Sequence, residues 1–357
     1  MLTVPALRKL LIEEHGATPA AVHVFVAAGM IGAAIGAPPV ASRADRRGDH
    51  MKVAVVLAAT DALIAVVTSS PVPTALLFAL RSIHGLASMA LLGLHFGEFR
   101  RSRADLVACA GGAMVAALAI GPAVVVASRG TSRGETTTAP SFPASSSMTH
   151  RSLMCHGPLA PLAIVMTQRF AIGGLVTAFA VRARAVHGLS DAHVGACFSL
   201  LLLVFGATVF ALGRNLTGRA LASCLPAGAA LFGASFAALS FVPAPLLPMA
   251  LAGAGLGAAL VYAPCLDLVS SAAPGGRRAT SMALLHSAVA VGMIVGPLFA
   301  ALLEVVLSDW SAPQRCAAFM ASAGVLHAAV AIALSSRCRA IAAGTALHAF
   351  NQGRANS

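Results

Sequence analysis

The chain has 357 residues, of which 58% are hydrophobic and only 10% are charged. A soluble globular protein is about a quarter charged, so this composition excludes an ordinary cytosolic enzyme and a disordered chain. The 24 lysines and arginines outnumber the 12 acids and give a formal net charge of +12. In so apolar a chain this excess is typical of loops on the cytoplasmic side of a membrane. We therefore predict a chain solvated mostly by lipid, with no nucleic-acid partner.

Apolar stretches long enough to cross a bilayer occur ten times along the chain. A helix needs about 20 apolar residues to cross the ~30 Å hydrocarbon layer. The stretches are 19–40, 51–70, 73–95, 104–128, 157–181, 192–213, 220–243, 246–271, 279–304 and 314–335. Glycine and alanine dominate them, and small residues allow membrane helices to approach closely. We predict an all-α, multi-pass protein of about ten transmembrane helices, located in the cell (inner) membrane.

The connector at 129–156 divides these stretches into two groups. It is rich in serine, threonine and proline, which predicts a flexible linker. Before it lies an N-terminal bundle (1–128) with four spans; after it lie a C-terminal bundle (157–335) with six spans and a tail (336–357). A shift of 172 residues places His15-Gly16 over His187-Gly188, and a shift of 175 places Gly121-Pro122 over Gly296-Pro297. Nearly equal shifts indicate duplicated bundles, as in many secondary transporters.

The same shifts leave the spans 157–181 and 314–335 without partners in the first half. We therefore expect that this sequence lacks the first and sixth helices of a duplication with six spans in each half, and that residues 2–12 are a remnant of the first. The basic loops of both halves reach the cytoplasmic side only if an odd number of crossings lies in 129–156. A poorly apolar membrane element, an inverted half or a truncated gene model would each explain this, and we favour the last.

The segment after the first span carries a short charged motif: Asp45, Arg46, Arg47 and Gly48. A carboxylate there can cap the positive end of a helix from the other bundle, and the glycine permits a tight turn. The motif resembles the signature loop of the major facilitator superfamily, Gly-x-x-x-Asp-Arg-x-Gly-Arg-Arg, with Ala41 in place of the first glycine and Asp49-His50 in place of the last basic pair. The resemblance implies a gating latch. The alternative is a basic cytoplasmic loop with an incidental aspartate.

The third span contains Arg81-Ser-Ile-His84-Gly85, which is similar to the fourth-helix pattern of the same superfamily, Arg-x-x-Gln-Gly-x-Gly. An arginine inside a membrane helix is costly, so it should face the bundle interior and have a partner. The resemblance implies that Arg81 lies near the substrate or proton path, where His84 replaces the usual glutamine and could titrate. The alternative is an arginine whose side chain reaches back to the membrane surface from the helix end.

Two further charged residues lie near the middle of predicted spans, Asp61 in the second and Arg169 in the fifth. Ionisable residues inside a membrane are candidates for substrate and proton pathways. We therefore place both on the candidate path. The alternative for each is a structural pair or a polar contact between helices, worth about 1 kcal/mol.

Glycine-proline pairs occur at Gly121-Pro122 and Gly296-Pro297. Proline removes a helix hydrogen bond and glycine admits a close neighbour, so each pair predicts a kinked and tightly packed hinge. Both pairs resemble the fifth-helix pattern of proton-driven exporters in the same superfamily, Gly-x-x-x-Gly-Pro-x-x-Gly-Gly. A kink without a role in transport is the alternative.

The sequence contains no GxxxxGK[ST], HExxH or GxSxG motif and no cluster with metal-ligand spacing. We expect no catalytic site, no cofactor and no bound metal, and thus no enzyme. The resemblance covers 19–128 and 157–335 and implies a monomeric carrier that works by alternating access. The expected function is secondary transport of a small organic solute or drug, by proton-coupled export. The alternative is a truncated or decayed paralogue without transport activity.

Overall fold

The computed structural model describes residues 19–68, 72–98, 159–216, 218–273 and 277–355, and all regular structure in these ranges is helical. The helices are α1 (Pro19–Arg47), α2 (His50–Thr68), α3 (Thr74–Glu98), α4 (Leu159–His187), α5 (Asp191–Asn215), α6 (Gly218–Ser223), α7 (Leu225–Ala238), α8 (Leu247–Ser271), α9 (Arg278–Val306) and α10 (Ala312–Ala355). A short 3₁₀ turn at Ala244–Leu246 precedes α8. The linker at 129–156, the predicted span at 104–128 and the remnant at 2–12 lie outside the described residues.

Seven stretches of the described chain are long and apolar enough to cross a membrane: Thr74–Leu94, Leu159–Val176, Ala192–Asn215, Gly218–Ala238, Ala244–Ser271, Arg278–Leu303 and Ala312–Gly344. Each coincides with a span predicted from the sequence. The predicted spans at 19–40 and 51–70 are helical too, as α1 and α2, but they are not among the seven. The prediction of an all-α membrane protein is therefore confirmed for the part of the chain that the structure describes.

Three helix boundaries differ from the predicted ones. The span at 220–243 is divided between α6 and α7, because proline at the start of α7 has no N–H to donate to the preceding turn. The last helix does not end at 335 but continues to Ala355 through much of the predicted tail. The segment Ala41–Arg47 is not a loop but the last two turns of α1, because it contains neither proline nor glycine before Gly48.

The core of the C-terminal bundle forms around α8, whose ten residues 261–270 are all buried. This helix packs against α5 and α7, and α4 packs against α9 and α10. Between α4, α9 and α10, the rings of Phe170, Phe299 and Phe319 lie within 5.5–6.3 Å of one another. Such aromatic contacts fix the relative positions of the three helices in a membrane, where no hydrophobic force drives them together.

A seam of alanines joins the two bundles. Both α1 and α3 pack against α9 of the C-terminal bundle. The buried residues of the seam are Ala37, Ala41, Ala44, Leu57, Ala87, Ala90, Leu94, Ala279 and Ala283. Small side chains let these helices lie close together without interlocking deeply. The surface between the bundles is therefore closely packed yet smooth.

Within the N-terminal bundle, α1 and α3 touch through their backbones. A methyl group on Gly32 would overlap the carbonyl group of Ser82, and one on Gly85 would overlap that of Gly29. The close approach thus depends on glycine in both helices. It fixes the position of Arg81, one turn before Gly85, against α1.

Candidate functional site

The two bundles are bridged by the carboxylate of Asp45, near the C-terminal end of α1. Its Oδ2 atom accepts hydrogen bonds from the backbone N–H of Thr280, at 2.7 Å, and from the Thr280 hydroxyl, at 2.5 Å. Thr280 is the third residue of α9, so its N–H is one of those that the helix itself cannot satisfy. The residue at the N-cap position, Arg277, makes no capping bond with its side chain. A residue from the other bundle therefore provides the cap that α9 lacks.

Neighbouring residues hold Asp45 in place. Its Oδ1 atom lies 2.9 Å from Nε2 of His50, and its side chain is only 4% exposed. Gly48 has a φ of 68°, which side-chain-bearing residues rarely adopt, and it makes the tight turn between α1 and α2. Arg46 donates to the carbonyl of Ser42 within its own helix, at 3.2 Å. Arg47 is exposed at the helix end. The hydrogen bonds that join this motif to the other bundle come from Asp45.

A second polar cluster joins α2 and α3. Asp61 Oδ1 lies 2.5 Å from Nδ1 of His84, and the Ser88 hydroxyl donates to both carboxylate oxygens of Asp61, at 3.1 and 3.3 Å. Residues 84 and 88 are one helical turn apart on α3 and so face Asp61 together. The structure thus brings together two residues that the sequence placed on the candidate path, and it adds Ser88.

Arg81 lies one turn from His84 and faces α1. Its guanidinium carbon is 5.7 Å from the ring centre of Phe25, and its buried Nε atom has no hydrogen-bond partner among the described residues. The negative charge of Asp61 acts on Arg81 as well. Arg81, His84 and Asp61 therefore form one charged group inside the N-terminal bundle.

Arg169 lies in the other bundle and has different surroundings. Its guanidinium carbon is 5.0 Å from the ring centre of Tyr262 on α8 and 5.4 Å from that of Phe205 on α5. Its Nε atom is buried and makes no hydrogen bond within the part of the chain that the structure describes. Among the described residues, no carboxylate oxygen lies within 4.0 Å of its nitrogens. The sequence suggested a partner for such an arginine, and the partners in the described chain are aromatic.

The glycine-proline pair at Gly296-Pro297 lies where α9 crosses α4. A methyl group on Gly296 would overlap the backbone of Phe170, and one on Gly292 would overlap the carbonyl of Met166. The pair lies within a continuous α9, where Pro297 approaches Gly173. Its use as a hinge remains a prediction, and Gly121 and Pro122 lie outside the described residues.

Other polar residues of the C-terminal bundle have contacts inside the bundle. Gln168 donates to the carbonyl of Ala258 at 3.0 Å, and His327 lies 3.1 Å from the hydroxyl of Thr167. The ring nitrogen Nδ1 of His286 lies 2.8 Å from the carbonyl of Met282. Among the described residues no group of three or more potential metal ligands occurs.

The sequence did not indicate Thr280, Tyr262 or Phe205 as site residues. A threonine soon after a helix start could have suggested a capping position, yet nothing local links residue 280 to residue 45. Aromatic residues in apolar runs ordinarily form packing contacts. Their role beside Arg169 is visible only once the helices are assembled.

A solved structure has a similar arrangement of helices. No family model matches the sequence, and no curated protein matches it. Among solved structures, the chain is similar to the human organic anion transporter MFSD10, with a TM-score of 0.65 and 17% identity over 86% of this chain and 83% of that one. The chain has the major facilitator fold. The architecture of two helical bundles predicted from the sequence is thereby confirmed.

The three charged sites lie in different parts of this major facilitator fold. The Asp45–Thr280 contact joins the bundles, the Asp61–His84 group lies inside the N-terminal bundle, and Arg169 lies inside the C-terminal bundle. The fold therefore combines a hydrogen-bonded contact between the bundles with a separate polar site in each bundle.

Proposed function

We propose that the chain is a secondary transporter of the cell (inner) membrane that exchanges a small organic solute for protons by alternating access, in the direction of export. The observation that carries the proposal is the bond between Asp45 and Thr280. Two bundles that rock about a central site need a contact at one end that forms in one state and breaks in the other. A carboxylate at a helix N-terminus is suited to this, because each bond is strong and only a few must break.

The alanine seam supports the same proposal. Helices α1 and α3 meet α9 through small residues, so the bundles can separate without pulling large side chains out of deep pockets. The glycine-proline segment of α9, where it crosses α4, supplies a place at which that helix could flex. In this proposal α9 is the element that moves relative to the N-terminal bundle.

Proton coupling is proposed for the Asp61–His84 group. A carboxylate and an imidazole in direct contact can hold one proton between them and release it when the surroundings change. Arg81 lies on the same helix, one turn before His84. A solute that alters the position of α3 would thereby alter the affinity of Asp61 for its proton, which is the linkage that an antiporter requires.

The test uses the full chain reconstituted in liposomes with a pH-sensitive dye enclosed. A panel of small organic solutes is added with and without an imposed proton gradient. We expect at least one solute to move protons through the unaltered chain, and we expect Asp45→Ala to reduce this flux at least tenfold. The matched control is Asp49→Ala, which removes a carboxylate four residues away on the same connection.

Two results would overturn the proposal. One is the absence of solute-driven proton movement for the whole panel, which would favour the alternative of a paralogue without transport activity. The other is flux through Asp45→Ala equal to that through Asp49→Ala, which would show that the bridge between the bundles has no part in transport.

A further inference from the structure

Arg169 is a cation held inside a helical bundle with part of its hydrogen-bonding capacity unused. It lies in the predicted span of α4, as the eleventh residue of that helix. A charged side chain in a membrane helix is costly unless it is paired. Aromatic rings compensate only in part, since a cation–π contact is weaker than a hydrogen-bonded ion pair. The site therefore stabilises a cation incompletely.

The rings of Phe205 and Tyr262 contact the guanidinium from one side only. The ring centres of Phe205 and Tyr262 are 5.6 Å apart, about as far from each other as each is from the guanidinium carbon of Arg169. A guanidinium sandwiched between two rings would separate their centres by nearly the sum of those two distances. The three groups instead form a triangle, with both rings on the same side of the cation.

The backbone at Arg169 is held in place by a neighbouring helix. A methyl group on Gly292 of α9 would lie 2.8 Å from Cβ of Arg169 and would overlap the carbonyl of Met166. Helix α9 thus presses against α4 at this point, while the side chain extends to α5 and α8, where it meets the two rings. Helix α9 contacts the base of the side chain and α5 and α8 contact its guanidinium, while the residue remains partly accessible.

We infer that Arg169 is the recognition site for the charged group of a solute anion, of the class of organic monocarboxylates with an apolar body. A guanidinium forms a planar, two-pronged pair with a carboxylate, and the buried Nε atom is a donor in need of such an acceptor. The rings of Phe205 and Tyr262 offer an apolar surface beside that charge. A divalent or strongly hydrated anion would lose more hydration than a single arginine returns.

This inference rests on the proposed transport function for its physiological meaning, but binding is measured without transport. The unfolding temperature of the purified full chain in detergent is recorded with benzoate, salicylate and octanoate, and with the corresponding neutral amides. A ligand that binds only the folded state raises this temperature. We expect at least one carboxylate to raise it in a saturable manner and its amide to have no effect.

Variants then assign the effect to the arginine. Arg169→Gln should weaken the apparent affinity for the active carboxylate about ten- to a hundredfold, since a charge-assisted hydrogen-bonded pair is lost. Arg169→Lys keeps the charge but loses the two-pronged geometry and should weaken it by less. The matched control is Arg184→Gln, which removes a charge from an exposed position of the same helix and should leave the affinity unchanged.

The outcomes separate this inference from the proposed function. Equal effects of acids and amides on the unaltered chain would overturn the anion site, and so would equal carboxylate affinity in Arg169→Gln and the unaltered chain. The comparison of acid with amide needs no variant, so it decides even if Arg169→Gln does not fold. Carboxylate binding without any flux would overturn transport and leave the site standing. Proton-driven flux of cations alone, unchanged in Arg169→Gln, would overturn the anion site and leave transport standing.

Discussion

The two bundles each contain an arginine inside a helix, and the two differ in what surrounds them. Arg81 in the N-terminal bundle lies beside an aspartate and a histidine and contacts one ring, that of Phe25. Arg169 in the C-terminal bundle contacts two rings and, in the described chain, no carboxylate within 4.0 Å. The first site carries its own counter-charge; the second does not.

This difference indicates a division of work between the bundles. In a site with its own acid, the charge of the arginine is already balanced without a ligand. Such a site therefore exchanges a proton more easily than a charged solute. A site with a cation and apolar surfaces gains most from a ligand that brings an anion. In the proposed function, the proton therefore belongs to the N-terminal bundle and the solute to the C-terminal bundle, and the Asp45–Thr280 contact connects their movements.

The largest expected effect comes from making the N-terminal site resemble the C-terminal one. Asp61→Asn removes the counter-charge near Arg81 and His84, in a cluster that is only partly buried. We expect proton-driven flux in liposomes to fall at least tenfold and its dependence on the imposed pH gradient to disappear. The matched control is Asp309→Asn, in the exposed turn before α10. Gradient-dependent flux that survives in Asp61→Asn would remove the proton from this bundle.

A smaller effect, on stability, should distinguish the helix contacts beside the two arginines. Gly292→Ala places a methyl group against the backbone of α4 beside Arg169, whereas Gly29→Ala places one 3.0 Å from the movable side chain of Arg81. Overpacking against backbone costs about 1–3 kcal/mol, and a flexible side chain can move aside for less.

Unfolding temperatures of the two purified variants measure this difference, and Gly292→Ala should be the less stable. Gly195→Ala is the control, because nothing lies within 4 Å of the added methyl group. Equal stability of the Gly292 and Gly29 variants would mean that α9 does not fix Arg169.

The smallest expected effect concerns the rings beside Arg169. Tyr262→Leu removes a cation–π contact and should lower the free energy of unfolding by about 1–2 kcal/mol. Tyr262→Phe keeps the ring, so its unfolding temperature should stay near that of the unaltered chain. If the two variants were equally stable, the ring would act only as apolar bulk.

Much of the fold could be predicted from the sequence, because each membrane helix can be recognised from its own length and apolarity. The described helices begin and end near the predicted spans, and the exceptions have local causes. Pro226 at the start of α7 divides one span, and α1 and α10 continue as helices beyond their apolar parts. Apolarity predicts where a helix lies in lipid, not where it stops in water.

The sites could be predicted only in part. Asp45, Asp61, Arg81 and Arg169 are conspicuous because charge is rare in such a chain. Their partners are not conspicuous, since Thr280 is 235 residues from Asp45 and the two rings beside Arg169 belong to different helices. Partners of this kind depend on helix packing, which the pattern of a single sequence does not contain.

The most direct test of the account measures the distance between the bundles at their bridge. Spin labels at Arg43→Cys on α1 and Arg277→Cys before α9, in a chain whose seven native cysteines are replaced, report this distance in liposomes by pulsed electron resonance. We expect two populations of molecules, one with a short and one with a longer distance between the labels. Their ratio should change with pH and with a bound carboxylate. Asp45→Ala should shift the ratio toward the longer distance. A single distance that neither pH, ligand nor Asp45→Ala alters would contradict alternating access through this contact.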